Sequence, residues 1–314
     1  MLISVMIEGQ EDVTWEQWRS LAQIAEQSGF HGLYRSDHYL SVGAREERGA
    51  LDAWGTICAL AALTERVRLG TVVSPASFRH PSILAKLVTT ADHVSGGRVE
   101  LGLGAGWHEL EHHRYGFPFL PARERFDVLE EQLEIITRQW REGPFSFHGE
   151  HYAIEQLDAR PKPVARPRPL LRMGGAAKRR AAALAARFAD EYNAVLVGPE
   201  RVAEVRAALD GACIDAGRDP ATLPLSLMTG FLVGRDREEL RGRAERLLAW
   251  QGRAGADLDA TLEELGRTWI VGTPDEAAAR LDAYAAAGVT HVMLQHLLVD
   301  DDAALELIAE RFIA

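Results

Sequence analysis

Short β-branched runs alternate with helical patterns along nearly the whole of this chain, and that alternation limits the fold more than any motif does. Residues 2–7 read as a strand. Trp15–Gln27 reads as a helix, with apolar Trp15, Trp18, Leu21, Ala22 and Ala25 on one face, Thr14 as its cap and Gly29 at its end. The same grammar predicts strands over 31–35, 67–73, 99–103, 170–173, 192–197, 223–233 and 289–294. Helices are expected over 52–63, 81–94, 123–141, 176–188, 199–216, 237–250, 273–287 and 303–312. Residues 145–154 read as a small hairpin around His148-Gly149-Glu150, and 251–267 carry no readable pattern. Strands separated by helices must run parallel, because each connection is a crossover. About eight such units in 314 residues predict an α/β fold, a closed (β/α)8 TIM barrel with short insertions. An open doubly wound sheet satisfies nearly the same pattern. No linker or low-complexity run divides the chain, so one domain over 1–314 is expected.

Composition excludes several functions. No run of eighteen apolar residues is present, so no membrane-spanning helix is expected, and the start MLISVMIEG carries no basic signal-peptide region. Net charge is −11, which argues against nucleic acid or an anionic membrane as partner and leaves a small-molecule substrate. The two cysteines, Cys58 and Cys213, sit in apolar helical patterns and are expected to be reduced, as in a cytoplasmic enzyme. One local basic cluster, Arg172, Lys178, Arg179 and Arg180, suggests capture of an anionic ligand, or else a solvated first helical turn.

Three chemistries overlap in GGRVELGLGAGWHELEHHRYG, residues 96–116. Gly102, Gly104 and Gly106 follow a strand, where backbone amides can approach a phosphate without interference from Cβ. Gly174-Gly175-Ala176 opens the 176–188 helix in the same way, with Lys178 and Arg179 in its first turn. His108-Glu109-Leu110-Glu111-His112 matches the zinc-protease signatures HExxH and HxxEH, which would make a zinc hydrolase of His108, Glu109 and His112. Context weighs against zinc, since the motif follows a glycine turn directly instead of lying in mid-helix. In a barrel, chemistry sits at the C-terminal ends of the strands. Ser36-Asp37-His38, 72–75, 104–109, Gly174-Gly175, Asn193 and Gln295-His296 would then share one mouth. Asp37-His38 is the acid–base candidate, because an imidazole exchanges protons near neutral pH and a carboxylate can set its tautomer. Arg79-His80-Pro81 reads as a helix anchor, and Trp107 as a pocket wall or ordinary core.

Taken jointly and in order, six segments resemble the bacterial-luciferase-like superfamily, in particular its coenzyme F420-dependent (deazaflavin) oxidoreductase branch. They are SDHYL at 36–40, LGTVVSPASFRHPSILAK at 69–86, the 96–116 stretch, ERFDVLEEQLEII at 124–136, GGAAKRRAAALAARFADEYN at 174–193 and VGTPDEAAARL at 271–281. The resemblance implies a flavin-like ring at the mouth, with His38 as the catalytic histidine beside Asp37. It implies a bulge under the ring at Thr71, Val72, Val73 and Ser74, with a cis peptide at Val72–Val73. Phosphate would be held around Gly104, Ala105 and Gly106 and at Gly174, Gly175 and Ala176, with Trp107 beside the cofactor. The implied reaction is hydride transfer between coenzyme F420 and a small organic substrate. The alternative within the family is an FMN-dependent two-component monooxygenase. Sugar-phosphate dehydrogenases of this branch carry a glutamate where this chain has Trp107, so their substrate is not implied. The loops 39–51 and 251–267 are expected to shape the substrate pocket, and relatives dimerise through the helices here at 52–63 and 81–94, which implies a homodimer.

Overall fold

The computed structural model describes residues 1–42, 45, 47–141 and 143–313, so part of the 39–51 loop lies outside the described residues. Eight parallel strands close on one another: β1 (Leu2–Ile7), β2 (Gly32–Arg35), β3 (Arg68–Thr71), β4 (Val99–Gly104), β5 (Leu170–Gly174), β6 (Glu191–Val195), β7 (Leu225–Val233) and β8 (Val289–Gln295). Closure is complete: β6 meets β7 at Tyr192–Leu225, β7 meets β8 at Ser226–His291, and β8 returns to β1 at Gln295–Met6. The sheet is a barrel, and the doubly wound alternative falls with the β6–β7 pairing.

Local chemistry explains why the helices begin where they do. Thr14 and Gln17 form a reciprocal capping box before Trp15–Gln27, and Thr273 with Glu276 does the same before Pro274–Ala286. Asp52, Asp236 and Asp301 each accept a backbone N–H in the first turn of their helices. Trp18, Leu21, Ala22 and Ala25 bury the inner face of the first helix against the barrel, as their spacing requires.

Three insertions depart from the plain repeat. A short helix, Glu109–Tyr115, precedes the long Ala122–Arg141 helix after β4. An antiparallel pair, Phe145–His148 with Ala153–Leu157, follows it. After β7 come a helix at Leu258–Gly266 and a short strand, Ile270–Gly272, parallel to the end of β7.

The strand expected over 67–73 breaks early. After Thr71 the Val72–Val73 peptide is cis, and Ser74–Pro75 then pairs with Leu103 and Gly104 of β4. The reason lies on β4. A Cβ on Gly102 would stand 2.1 Å from the Thr71 carbonyl oxygen, and one on Gly104 would stand 2.8 Å from Val73 Cγ2. These glycines therefore make room for the bulge. That is a different reason from close approach to a phosphate.

The interior of the barrel is layered. At the N-terminal end, Arg172 lies between Glu100 (2.7 Å) and Glu191 (2.5 Å), Arg68 also binds Glu100, and Ser4 Oγ meets His291 Nε2 at 2.7 Å. Above this polar layer pack Met6, Tyr34, Val72, Met228 and Met293, of which Met6, Val72 and Met228 reach the open end.

Candidate active site

The C-terminal ends of the strands open into a cavity of about 1110 Å³ with mostly apolar walls. It brings together many of the expected residues: Ser36, His38, Val72, Val73, the 104–107 segment, Gly174, Gly175, Ala176, Asn193 and Gln295 all line it. His38 stands in the loop after β2, largely buried, and its Nδ1 lies 2.8 Å from Glu111 Oε2. Glu111 also accepts the backbone N–H groups of Tyr39 (2.5 Å) and Leu40 (3.1 Å) through its other oxygen. The carboxylate thus assigns the Nδ1 proton and holds the ring, leaving Nε2 without a protein partner among the described residues. Burial alone would lower the His38 pKa. The hydrogen bond and charge of Glu111 outweigh it, with smaller help from Glu8 and Asp37, and the net shift is upward. Burial likewise opposes ionisation of Glu111, yet the partnership with His38 and the two amides brings its pKa down.

Asp37 does not orient His38. Its carboxylate points away from the cavity, fully buried, and binds Arg79 through both oxygens (2.6 and 3.1 Å) and Ser74 Oγ at 2.5 Å. In extended chain, successive side chains diverge, so neighbours in sequence face different surroundings. Arg79, expected only to anchor a helix, is the cation of this pair. Its pKa is raised, since the charge of Asp37 and their hydrogen bonds more than offset the effect of burial. Thr71 and Ser74 also stand behind the wall: Thr71 Oγ1 donates to the Gly102 carbonyl, and Ser74 joins Asp37. Only Val72 and Val73 of the bulge reach the cavity, as its apolar floor.

Both glycine segments line the same cavity. Gly106 has φ +77° and Gly175 φ +132°, conformations that a side chain would strain. The helix expected from 176 begins at Arg179, because Ala177 has φ +49° and breaks the turn before it. The Gly175 N–H is taken by the Asn193 carbonyl and the Ala177 N–H by the Tyr192 hydroxyl. The amides left without a side-chain cap are then those opening Arg179–Phe188, where Lys178 holds the cap position and has no ion pair among the described residues. Arg180 is already bound to Asp127 and Glu130. Arg172 leaves the expected basic cluster altogether, since it lies in the polar layer beneath the floor.

These features fit a planar heterocycle that carries a phosphate. Asn193 Oδ1 is buried on the cavity wall with no hydrogen-bond partner, an acceptor that a ring N–H would satisfy. Val72, Val73, Met6 and Met228 line the cavity as apolar side chains, and a phosphate would find the uncapped helix start with Lys178 on the same cavity. Trp107 is 60% exposed on the rim, stacked on His108 and edge-on to His38 (ring centroids 5.7 Å apart), so it is wall and not core.

The zinc alternative fails on geometry. His112 has both ring nitrogens engaged, with Ser77 Oγ at 2.6 Å and the His108 carbonyl at 2.8 Å. Glu109 points to solvent, and His108 precedes the helix. Among the described residues no group of three His, Cys, Asp or Glu is placed to hold a metal. His296 is also displaced from the mouth. It is buried against Phe231 in a separate small cavity, where burial pulls its pKa down to about 4.

Sequence reasoning missed Glu111 as the partner of His38 and did not name Glu8, which also lines the cavity. A signal for Glu111 was present in the HxxEH letters, under the wrong chemistry.

The family model described as luciferase-like monooxygenase matches residues 2–291. An FMNH2-dependent dimethylsulfone monooxygenase of Pseudomonas putida is 29% identical over 300 residues, covering 88% of this chain and 81% of its own. An F420-dependent glucose-6-phosphate dehydrogenase of Beutenbergia cavernae is 29% identical over 309 residues, covering 92% of this chain and 90% of its own. Among solved structures, a monooxygenase of Streptomyces bottropensis superposes with a TM-score of 0.83 at 24% identity, covering 100% of this chain and 99% of that one, a likeness of fold.

Proposed function

Because this chain belongs to the luciferase-like monooxygenase family, we propose that it transfers hydride between coenzyme F420 and a small organic substrate. The family includes both F420-dependent dehydrogenases and FMNH2-dependent monooxygenases. The observation that favours hydride transfer is the His38–Glu111 pair. Interconverting an alcohol and a carbonyl moves a proton with each hydride, and a buried imidazole with a raised pKa beside a carboxylate is built to hold that proton.

Bound deazaflavin supplies the ring carbon that gives or takes the hydride. The chain's own residues do the rest. Lys178 and the first amides of Arg179–Phe188 hold the phosphate, Val72 and Val73 support the ring, and Asn193 accepts a ring N–H. His38 gives or takes the proton through Nε2, and Glu111 keeps Nδ1 protonated and the ring aimed. The walls around the reacting atoms are mostly apolar. We assign no sugar phosphate, since the residue after the turn glycines is Trp107. The same proposal takes the protein as a cytoplasmic homodimer joined through Ala53–Leu63 and Pro81–Ser95, on which Leu63, Ile83 and Val94 stand exposed. No helix among the described residues is long and apolar enough to cross a membrane.

The second reading is a monooxygenase using reduced FMN and oxygen, favoured by similarity to the dimethylsulfone enzyme. Titration of the protein with F420 and with FMN, followed by fluorescence, separates the two. Saturable binding of F420 with weak FMN binding is expected, and the reverse, with oxygen consumed, selects the second reading. His38→Ala should keep coenzyme affinity while turnover falls at least about a hundredfold. Unchanged turnover removes His38 from the reaction.

A further inference from the structure

Beside His38, the cavity carries a carboxylate that neither coenzyme nor proton transfer requires. Glu8 follows β1 and lines the cavity. Its two oxygens are held by neutral carboxamides: Gln10 Nε2 donates to Oε2 at 2.8 Å, and Gln295 Nε2, from the end of β8, donates to Oε1. Gln10 is itself fixed. It is fully buried, and its Oε1 accepts from Ser36 Oγ, which in turn accepts the Gly9 N–H at 3.0 Å. Glu8 is therefore placed by a buried chain of hydrogen bonds from two strand ends.

Several other charged groups on the cavity are paired with one another. Arg48 is paired with Glu11 at 2.8 Å and lies over the Trp250 ring. Glu111 is paired with His38, and Asp37 with Arg79. Arg45, also on the cavity, faces Glu47 across 3.9 Å. Glu8 has no cationic partner among the described residues, while its charge is felt at His38. A carboxylate held by two amides retains acceptor capacity for further donors. In a mostly apolar cavity it rewards a donor or a cation and penalises an anion.

We propose that Glu8 selects the substrate by accepting a hydrogen bond from a hydroxyl or protonated amino group near the reacting carbon, and that it turns anionic substrates away. This rests on the reading of the same mouth as the substrate site, and it narrows the substrate class to alcohols and protonated amines with an apolar body.

Three probes of one shape test it: cyclohexanol, cyclohexylamine, which is protonated at neutral pH, and cyclohexanecarboxylate. Their binding is measured by ligand-observed NMR on the whole protein, with saturating coenzyme and again without it. The amine should bind about tenfold or more tighter than the carboxylate, with the alcohol also ahead of the carboxylate. Glu8→Gln should bring the amine-to-carboxylate ratio close to unity while leaving coenzyme affinity in place. If Glu8→Gln melts far below the parent protein, Glu8→Asp serves instead, keeping the sign of the preference at reduced size. A carboxylate that binds as well as the amine, or a ratio that survives Glu8→Gln, overturns the proposal. Failure to bind either coenzyme overturns the hydride reading alone, because the ratio is also read in coenzyme-free protein.

Discussion

Asp37 and His38 are adjacent in sequence, yet one belongs to a closed ion pair with Arg79 and the other to the cavity. The histidine was legible because its type and its place at a strand end both pointed to acid–base work. Its partner was not, because Glu111 lies 73 positions away on a different βα unit, and only closure of the barrel brings the two together. The letters around Glu111 read as a metal motif, although their histidine turns inward to Ser77. The consequence at this scale concerns pH. With a raised pKa, His38 stays protonated through more of the neutral range than a free imidazole does. Carbonyl reduction, which needs that proton, should be fastest below the folded pKa and fall as pH rises through it. Alcohol oxidation should rise over the same interval. Glu111→Gln removes the main upward influence, so both profiles should move to lower pH, and turnover should fall roughly tenfold, part of the ~10²–10⁴ that a positioned acid–base group contributes. Profiles of kcat/KM against pH for parent and variant provide the measurement. Profiles that coincide would mean that Glu111 acts only in folding.

Elements were legible in proportion to how far local pattern decides them. Trp15–Gln27 and Arg237–Trp250 match their expected spans because caps and apolar spacing agree there. The helix over 258–266 escaped notice. Asp257 caps it, and Leu258, Leu262 and Leu265 keep a helical period, but the helix is only nine residues long and these leucines are only partly buried. The alanine-rich run at 176 satisfied helical period, yet the positive φ values of Gly175 and Ala177 delay the helix to Arg179. On β4 the glycines read as a demand on space for a ligand, and the bulge at Val72–Val73 makes the same demand on Gly102 and Gly104. The two glycines should respond differently to alanine. In Gly102→Ala the new methyl meets the backbone of Thr71, which cannot swing aside, so a loss of about 1–3 kcal/mol is expected, seen as a melting temperature lower by several degrees. In Gly104→Ala it meets the end of a side chain, Val73 Cγ2, so the fold should persist while the floor deforms and coenzyme affinity weakens. Equal melting temperatures for parent and Gly102→Ala would remove the steric account.

At the scale of the molecule, the barrel is closed at one end and open at the other. The polar layer of Glu100, Arg172, Glu191 and His291 fills the N-terminal end, and none of these residues reaches the cavity. Burial opposes ionisation of Glu191, but Arg172 and His291 together hold its pKa far below the usual carboxylate range. Arg172→Met takes one partner from each of two buried carboxylates, leaving Glu100 to Arg68 and Glu191 to His291, and should cost about 3 kcal/mol in chemical denaturation, with coenzyme affinity of the folded protein retained. A stability loss within measurement error would show that the layer is dispensable.

That sealed end also bears on kinetics. A vessel with its far end plugged by ion pairs is filled from the bottom, so whatever rests on the Val72–Val73 floor goes in before anything that lies above it. The deeper occupant cannot depart until the shallower one has left. Order of addition and order of release, a property normally sought in initial-rate plots, should then follow from which end of the barrel is stoppered.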